Sequence, residues 1–425
     1  MRFFYSIGIY LYTLGIRVAA LMGHRNAKLM VAGWKQWKAA VSRLLSDRPT
    51  VWFHAASLGE FEQARPVLET YRHRHPDHQV LLTFFSPSGY EVRKNFPAAD
   101  AVCYLPMDTP RNVRRFVSMV KPVRVFFVKY EFWFNYLGVL QQQNIPTYIF
   151  SAIFRPGQYF FKWYGGWFRK QLGRCFAHLF VQNEESRQLL VGAGIGQCTV
   201  AGDTRFDRVD EIAATAPRNE VVEAWLAATQ GKRPQDGKVI VCGSTWPPDE
   251  ELLSRFAKMP PRPVRLIIAP HLIDEAHLQT IEKIFPHSVR YSALSSTPLS
   301  EVADGQRKVG NVLIIDNIGM LAQLYRYGDM AYIGGGFGVG IHNILEAVTF
   351  GKPVVFGPNY HKFQEARDII QAGGGWSIAT ADELMHTLGP LVADGEKLQA
   401  PAQACRRYVE RNLGSTTIIL NTVEQ

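Results

Sequence analysis

The sequence predicts an α/β protein built from two Rossmann-like domains that face a cleft, preceded by an N-terminal membrane-associated helix. Three observations predict it. Short apolar runs alternate with amphipathic helical stretches along the chain. Its 425 residues exceed what one hydrophobic core usually serves, which favours two halves. The first 22 residues are aromatic and aliphatic, with Arg2 and Arg17 their only charged side chains.

At the N-terminus, Phe3 to Ile16 is uncharged, and Val18 to Met22 resumes the apolar run after Arg17. No small-residue cleavage site follows Met22, and an internal cation does not suit a uniform span of about 20 apolar residues. From His24 to Arg43, the cations His24, Arg25, Lys28, Lys35, Lys38 and Arg43 mix with Trp34 and Trp37, as where a helix meets anionic headgroups. Residues 1–33 therefore read as a membrane-associated segment on the inner leaflet, with an ordinary buried helix as the other reading.

Thr50–Ala55 reads as a buried strand after Pro49, and Glu60–His73 as the helix that follows. Strands at Gln79–Phe85, Ala101–Leu105, Arg124–Val128, Thr147–Ser151 and Leu179–Val181 complete a first domain over residues 34–207. Apolar periodicity weakens over 208–237, where a helix around Glu220–Thr229 and the polar stretch Gly231–Gly237 read as a linker. Strands at Val239–Cys242, Val264–Ala269, Val312–Asp316, Met330–Ile333 and Pro353–Phe356 define a second domain over 238–400. The tail 401–425, opened by Pro401, reads as a helix that returns to the first domain.

Lys and Arg number 47 against 37 Asp and Glu, so anionic partners are favoured. Nucleic acid is not among them: no zinc-finger spacing, RNP-like motif or long basic run is present. Cys103, Cys175, Cys198, Cys242 and Cys405 stand singly without a CxxC pair, which argues against a disulfide framework or a thiolate metal site.

Open α/β sheets bind ligands at the carboxyl ends of their strands. After Met330–Ile333 comes Gly334-Gly335-Gly336-Phe337-Gly338-Val339-Gly340, then an expected helix from about His342 to Phe350. Glycines admit a phosphate to the backbone, and a helix N-terminus attracts it. Asn343 and Glu346 lie three apart, and Glu346 suits ribose hydroxyls; its position speaks against a dinucleotide fingerprint, whose acid comes about 20 residues on. Glu60, in Ser57-Leu58-Gly59-Glu60, suits a general base for an attacking hydroxyl, or a simple helix-dipole pairing. Lys129 and Glu131 can both face a cleft, or form a structural ion pair. Ser244 and Thr245 offer hydroxyls to phosphate or carboxylate, or cap a helix. His271, after Pro270, can stack on or hydrogen-bond a base, and Arg205 adds a cation at the domain junction.

HAASLGEFEQARP with Glu60, TFFSPSGYE, VKYEFWFN with Glu131, AGDTRFD with Arg205, GSTWPPDEE with Ser244, Thr245 and Glu250, IAPHLIDE, DNIGMLAQLY and GGGFGVGIHNILEAVTFGKPVVFGP occur in one order along nearly the whole chain. This ordered set resembles the Kdo transferases, which attach 3-deoxy-D-manno-octulosonic acid (Kdo) to the lipid A precursor of Gram-negative bacteria. The resemblance implies a GT-B fold, a CMP-Kdo donor, lipid IVA as acceptor, and an inverting transfer without cofactor or metal ion at the cytoplasmic side of the inner membrane. It implies Glu60 as base with Glu131 beside it. It also implies a CMP pocket drawing on Pro270, His271, Ile318, Gly319, Met320 and the run Asn343, Ile344, Leu345 and Glu346, to which Arg205, Ser244, Thr245 and Gly338 add as further donor-site candidates. Met320 stands where many relatives carry an acid, Phe134 where they carry Pro, and Ile344 where they carry Pro, so cytidine recognition would lean on backbone groups. Two other readings compete: a nucleotide-sugar epimerase on the same scaffold, which needs no membrane segment, and a membrane-surface binding protein without activity.

Overall fold

A parallel strand covered on both faces reads as a near-continuous apolar run, and the central strands here follow that pattern with a few polar interruptions. In the computed structural model, which describes residues 1–229, 237–303 and 309–425, β1 (Thr50–Ala55) is buried at every position. It pairs with β2 (Gln79–Phe84) on one side, and β3 (Ala101–Tyr104) extends that edge. On its other side lie β4 (Pro122–Val128), β5 (Thr147–Ala152), β6 (His178–Val181) and β7 (Cys198–Val200), giving the all-parallel order β3-β2-β1-β4-β5-β6-β7. Trp52 joins the core on one face of this sheet, while Val51, Phe53 and Ala55 join the core on the other.

The second sheet is also parallel throughout. Its strands are β8 (Lys238–Thr245), β9 (Val264–Pro270), β10 (Val289–Arg290), β11 (Val312–Ile314), β12 (Met330–Ile333), β13 (Val354–Phe356) and β14 (Gly375–Ser377), in the order β10-β11-β9-β8-β12-β13-β14. Strand order reverses between β1 and β4 in one sheet and between β8 and β12 in the other. Crossovers run away to both sides there and leave a crevice at the strand ends.

The chain divides into Met1–Arg208 with Asn412–Gln425, and Val209–Arg411. The described part of the expected linker, 208–229, is therefore no free tether: helix Glu220–Thr229 buries Val222 and Trp225, and the Trp225 indole donates to Gly310 O at 3.0 Å. Apart from Gly237, the polar stretch 231–237 lies outside the described residues. The tail is two helices rather than one. Gln399–Glu410 stays with the second unit through Cys405, whereas Ser415–Glu424 packs Ile419, Leu420 and Val423 into the first. Asp207 fixes the start of that last helix by accepting the Gly414 and Thr416 amides.

At the N-terminus, α1 (Arg2–Leu21) and α2 (Arg25–Val41) belong to the first unit. α2 buries Ala27, Met30, Gly33, Trp37 and Val41, one face of a helix, and a Cβ on Gly33 would enter the Tyr104 ring. Trp37 packs on Phe116 inside the core, so it does not meet headgroups as the sequence reading had it. α1 is latched by polar contacts instead. Arg2 Nε donates to Asn135 Oδ1 at 3.2 Å, and the Tyr5 hydroxyl donates to Asp108 Oδ2 at 2.7 Å. Asp108 also accepts the Asn135 and Tyr136 amides, and burial pushes its carboxyl up to about 7.

Removing this acceptor leaves the buried Asn135 and Tyr136 amides unpaired, each costing on the order of 1–3 kcal/mol, and frees the half-buried Tyr5 hydroxyl. Asp108→Ala is therefore expected to destabilise the first unit by about 3 kcal/mol in urea unfolding and to open trypsin cleavage at Arg17 or Arg25. Unchanged stability and unchanged cleavage would show that the latch does not hold α1.

Candidate active site

The β1–β4 reversal puts two acidic loops side by side. After β1, Ser57 begins α3 (Leu58–Arg74), and Glu60 lies in its first turn. The Glu60 carboxylate accepts the Ala56 amide at 2.6 Å, which closes the loop on itself. After β4, Lys129 adopts φ +57°, a left-handed conformation costly for a non-glycine residue, and turns the chain toward Glu131. Glu131 Oε2 accepts from His54 Nε2 at 3.1 Å and from Trp133 Nε1 at 2.6 Å. Burial raises the Glu60 carboxyl above the ordinary carboxylate range and the Glu131 charge raises it further, while the Ala56 amide, His54 and Lys129 pull it back. Glu131 thus pairs with His54, a partner the Lys–Glu spacing did not reveal.

His54 is fully buried in β1, with Nδ1 2.9 Å from Thr83 Oγ1. Reading TVWFHA as a buried strand passed over it, although a His in so apolar a run needs partners. Arg205 opens the helix Arg205–Thr215 and contacts Asp203 Oδ2 through Nε at 2.9 Å and through its terminal nitrogen at 2.7 Å. Burial raises the Asp203 carboxyl, but Arg205 outweighs it and holds the group below its ordinary range. The Arg205 guanidinium is thus already engaged by a carboxylate.

In the second unit, Gly334 lies against β8. A Cβ there would come within 2.2 Å of Ser244 O, and Ser244 itself sits at φ +53° where the β8–β9 register shifts. The glycine loop is not an open cradle of amides. Gly334 N–H donates to Gly243 O, Gly338 N–H to Gly335 O, and Gly335 N–H to the buried Asp249 carboxylate at 3.0 Å. Asp249 also accepts the Tyr332 hydroxyl and the Trp246 amide, and so ties the loop to the start of helix Pro247–Lys258. That carboxylate lay unremarked inside the GSTWPPDEE motif.

The helix expected over 342–350 is only Leu345–Val348. His342 and Asn343 precede it, so a full macrodipole does not point at the loop. Asn343 Nδ2 donates to Glu346 Oε1 at 3.0 Å, and Asn343 Oδ1 accepts the Leu345 amide. Ile344 and Leu345 are fully buried and can meet a ligand only through backbone. The Thr245 hydroxyl donates inward to Glu250, which also meets His277 Nε2 at 2.9 Å, and neither Ser244 nor Thr245 caps the next helix. His271, after Pro270, stacks with Trp246 and with His342 at 4.6 Å centroid separation each, and the Trp246 indole donates to His342 Nε2. Burial, and then His271, hold the His342 imidazole below its ordinary value.

Ile318 is exposed and Gly319 takes φ +94°, while Met320 precedes the short helix Leu321–Leu324. Leu321 and Tyr325 close over Gly243, which brings this segment above the end of β8. Gly338 is exposed, and its carbonyl accepts from Asn359 at 2.7 Å. Structure thus gathers Glu60 and Glu131 at one strand reversal, and Ser244, Gly338, His271 and the 318–320 segment around the other.

A family model described as 3-Deoxy-D-manno-octulosonic-acid transferase (kdotransferase) matches residues 32–208. The chain is 30% identical to the 3-deoxy-D-manno-octulosonic acid transferase of Bordetella pertussis over 394 residues, 88% of this chain and 86% of that protein. It is 26% identical to the Aquifex aeolicus enzyme of the same name, covering 82% and 88%. The crystal structure of UDP-GlcNAc 2-epimerase from Neisseria meningitidis bound to UDP-GlcNAc superposes with a TM-score of 0.60 at 17% identity, covering 88% of this chain and 99% of that one. At that identity the likeness is one of fold alone.

The loop contacts make a stability contrast. Gly334→Ala forces a methyl into the Ser244 backbone, an overpacking that costs about 1–3 kcal/mol. Gly338→Ala meets only Gly335 O, at 3.6 Å, and should stay within about 0.5 kcal/mol of the parent. Calorimetric melting of the two variants checks this, and equal midpoints would contradict the packing described.

Proposed function

The chain belongs to the 3-deoxy-D-manno-octulosonic acid transferase family and is a glycosyltransferase; from that premise we propose that it moves Kdo from CMP-Kdo to lipid IVA, with Glu60 as the base. One observation carries the reading: a carboxylate at the strand reversal of the first unit, tied by the Ala56 amide and raised by burial and by Glu131.

A general base works best when its pKa approaches the operating pH, because it must be ionised yet bind a proton firmly. Burial and the Glu131 charge move Glu60 in that direction. Its carboxylate takes the proton of a glucosamine hydroxyl as that oxygen bonds to the anomeric carbon of Kdo. The bond from that carbon to the CMP phosphate oxygen breaks, and CMP departs with the electron pair. Glu131, fixed by His54 and Trp133, keeps the proton affinity of Glu60 high. In the second unit, Asn343 and Glu346 suit the cytidine ribose, and the edges of the His271 ring suit the base. Ser244, Gly338 and the Ile318–Met320 backbone line the remaining donor contacts. Lys and Arg side chains, rather than a metal ion, meet the donor's negative charge in this reading.

The acceptor is a lipid, and α1 is long and apolar enough to cross a membrane. Yet both of its ends are tied to one folded unit, through Arg2 at the start and through α2 packed on β3 at the finish. Phe3, Phe4, Leu11, Leu14, Leu21 and Met22 remain exposed. That combination favours a helix lying in the headgroup region of a membrane, and in this proposal the membrane is the inner one, met from its cytoplasmic side. The excess of Lys and Arg suits both that anionic surface and a phosphorylated acceptor.

Glu60→Gln keeps the Ala56 bond but cannot accept a proton. Transfer should fall roughly 10²–10⁴-fold, with CMP binding by calorimetry within about twofold of the parent. Near-parental turnover would remove Glu60 from the chemistry. Because the base must be ionised, kcat/KM should rise with pH through a limb above the ordinary carboxylate range. Glu131→Gln retains an acceptor oxygen for His54 and Trp133 while deleting the like charge, so the limb should move to lower pH. A limb that stays, or moves upward, would contradict the coupling.

A further inference from the structure

A groove of about 480 Å³ runs between α1, α2 and the turn after β2, with walls that include Tyr12, Gly15, Ile16, Ala19, Met30 and Phe85. Most of this lining is apolar, and α1, which forms one wall, also carries the exposed row Phe4, Leu11 and Leu14. Two short connections join the groove to the carboxylates. Phe85 packs on Trp133 at 5.0 Å between ring centroids, and Trp133 donates to Glu131. Ser86 N–H donates to Ala56 O at 2.7 Å, and the amide of the same Ala56 holds Glu60. One side of the groove is thus a single residue removed from each acid.

We infer that this groove receives one acyl chain of the acceptor and so presents the acceptor's sugar to Glu60. The inference rests on the reading that the acceptor is a lipid. A soluble sugar would gain nothing from such walls, whereas an acyl chain passing from the bilayer into them exchanges one apolar surrounding for another and keeps its van der Waals contacts. The same device explains how an enzyme that lies on a bilayer selects its substrate. Bulk lipid meets the outer face of α1, but a chain that enters the groove leads its own head group to the carboxylate pair.

Gly15 makes a clean test, because a Cβ built there meets no atom within 4 Å. Gly15→Phe is expected to put a ring into the groove from its own wall, where the first side-chain atom meets no neighbour, and Gly15→Ala serves as the control with an unfilled groove. Full-length protein in vesicles of phosphatidylethanolamine and phosphatidylglycerol is irradiated with myristic acid carrying a mid-chain diazirine. Labels are expected on Tyr12, Ile16, Met30 or Phe85 in the parent and in Gly15→Ala, with at least a tenfold loss in Gly15→Phe. Labels confined to Phe3, Phe4, Leu11 and Leu14 in all three proteins would overturn the proposal. In turnover, the kcat/KM ratio between acylated and fully deacylated bisphosphorylated glucosamine disaccharides should fall at least tenfold in Gly15→Phe, and an unchanged ratio would also overturn it. Should neither disaccharide receive Kdo from CMP-Kdo with the parent protein, the proposed function fails, while the labelling pattern still decides for or against the groove.

Discussion

Two carboxylates held near one another in a half-buried place repel, and what surrounds Glu60 and Glu131 keeps that repulsion from relaxing. Each is tied from its own side, Glu60 by the Ala56 amide and Glu131 by His54 and Trp133. The ties are rigid because they issue from the centre of a parallel sheet. His54 belongs to β1 and is braced by Thr83 of β2, while Glu131 follows β4. Neighbouring strands thus set the distance between the charges, and the strand reversal opens the space in which their effect is felt. A surface pair of acids would turn toward water and titrate independently.

The central strands of both sheets were legible in the sequence because burial on two faces favours long, nearly continuous apolar runs. The strands that went unread, Cys198–Val200, Val289–Arg290 and Gly375–Ser377, are two or three residues long and close the edges of their sheets, where no such demand exists. Site residues followed a similar division. Glu60 and Glu131 stood out as candidates because an acid in the loop after a buried strand is conspicuous, and the structure brings their charges within range of each other. His54 was not, since its meaning depends on Thr83 and Glu131, 29 and 77 residues away. The glycine loop shows the limit from the other direction. Its composition announces a close backbone approach, but the approaching backbone is that of Ser244 and Gly357, and Asp249 occupies an amide that composition alone would offer to a phosphate.

The N-terminal segment shows how tertiary partners change the meaning of an apolar stretch. By hydropathy α1 passes for a membrane span. Ser6 and Thr13 are nevertheless among its buried residues, with Arg2 and Tyr5 anchoring the same end. A helix that turns polar groups toward a protein and aliphatic groups outward suits a boundary between protein and lipid.

That latch also has a history in synthesis. Tyr5 and Arg2 are made before Asp108 and Asn135, their partners, which follow more than a hundred residues later. At about 5–20 residues per second, α1 waits on the order of ten seconds before its docking surface exists. Throughout that interval Arg2 and Tyr5 lack these polar partners, while the oily side of α1, exposed even in the folded chain, is free to meet whatever apolar surface stands nearest the ribosome.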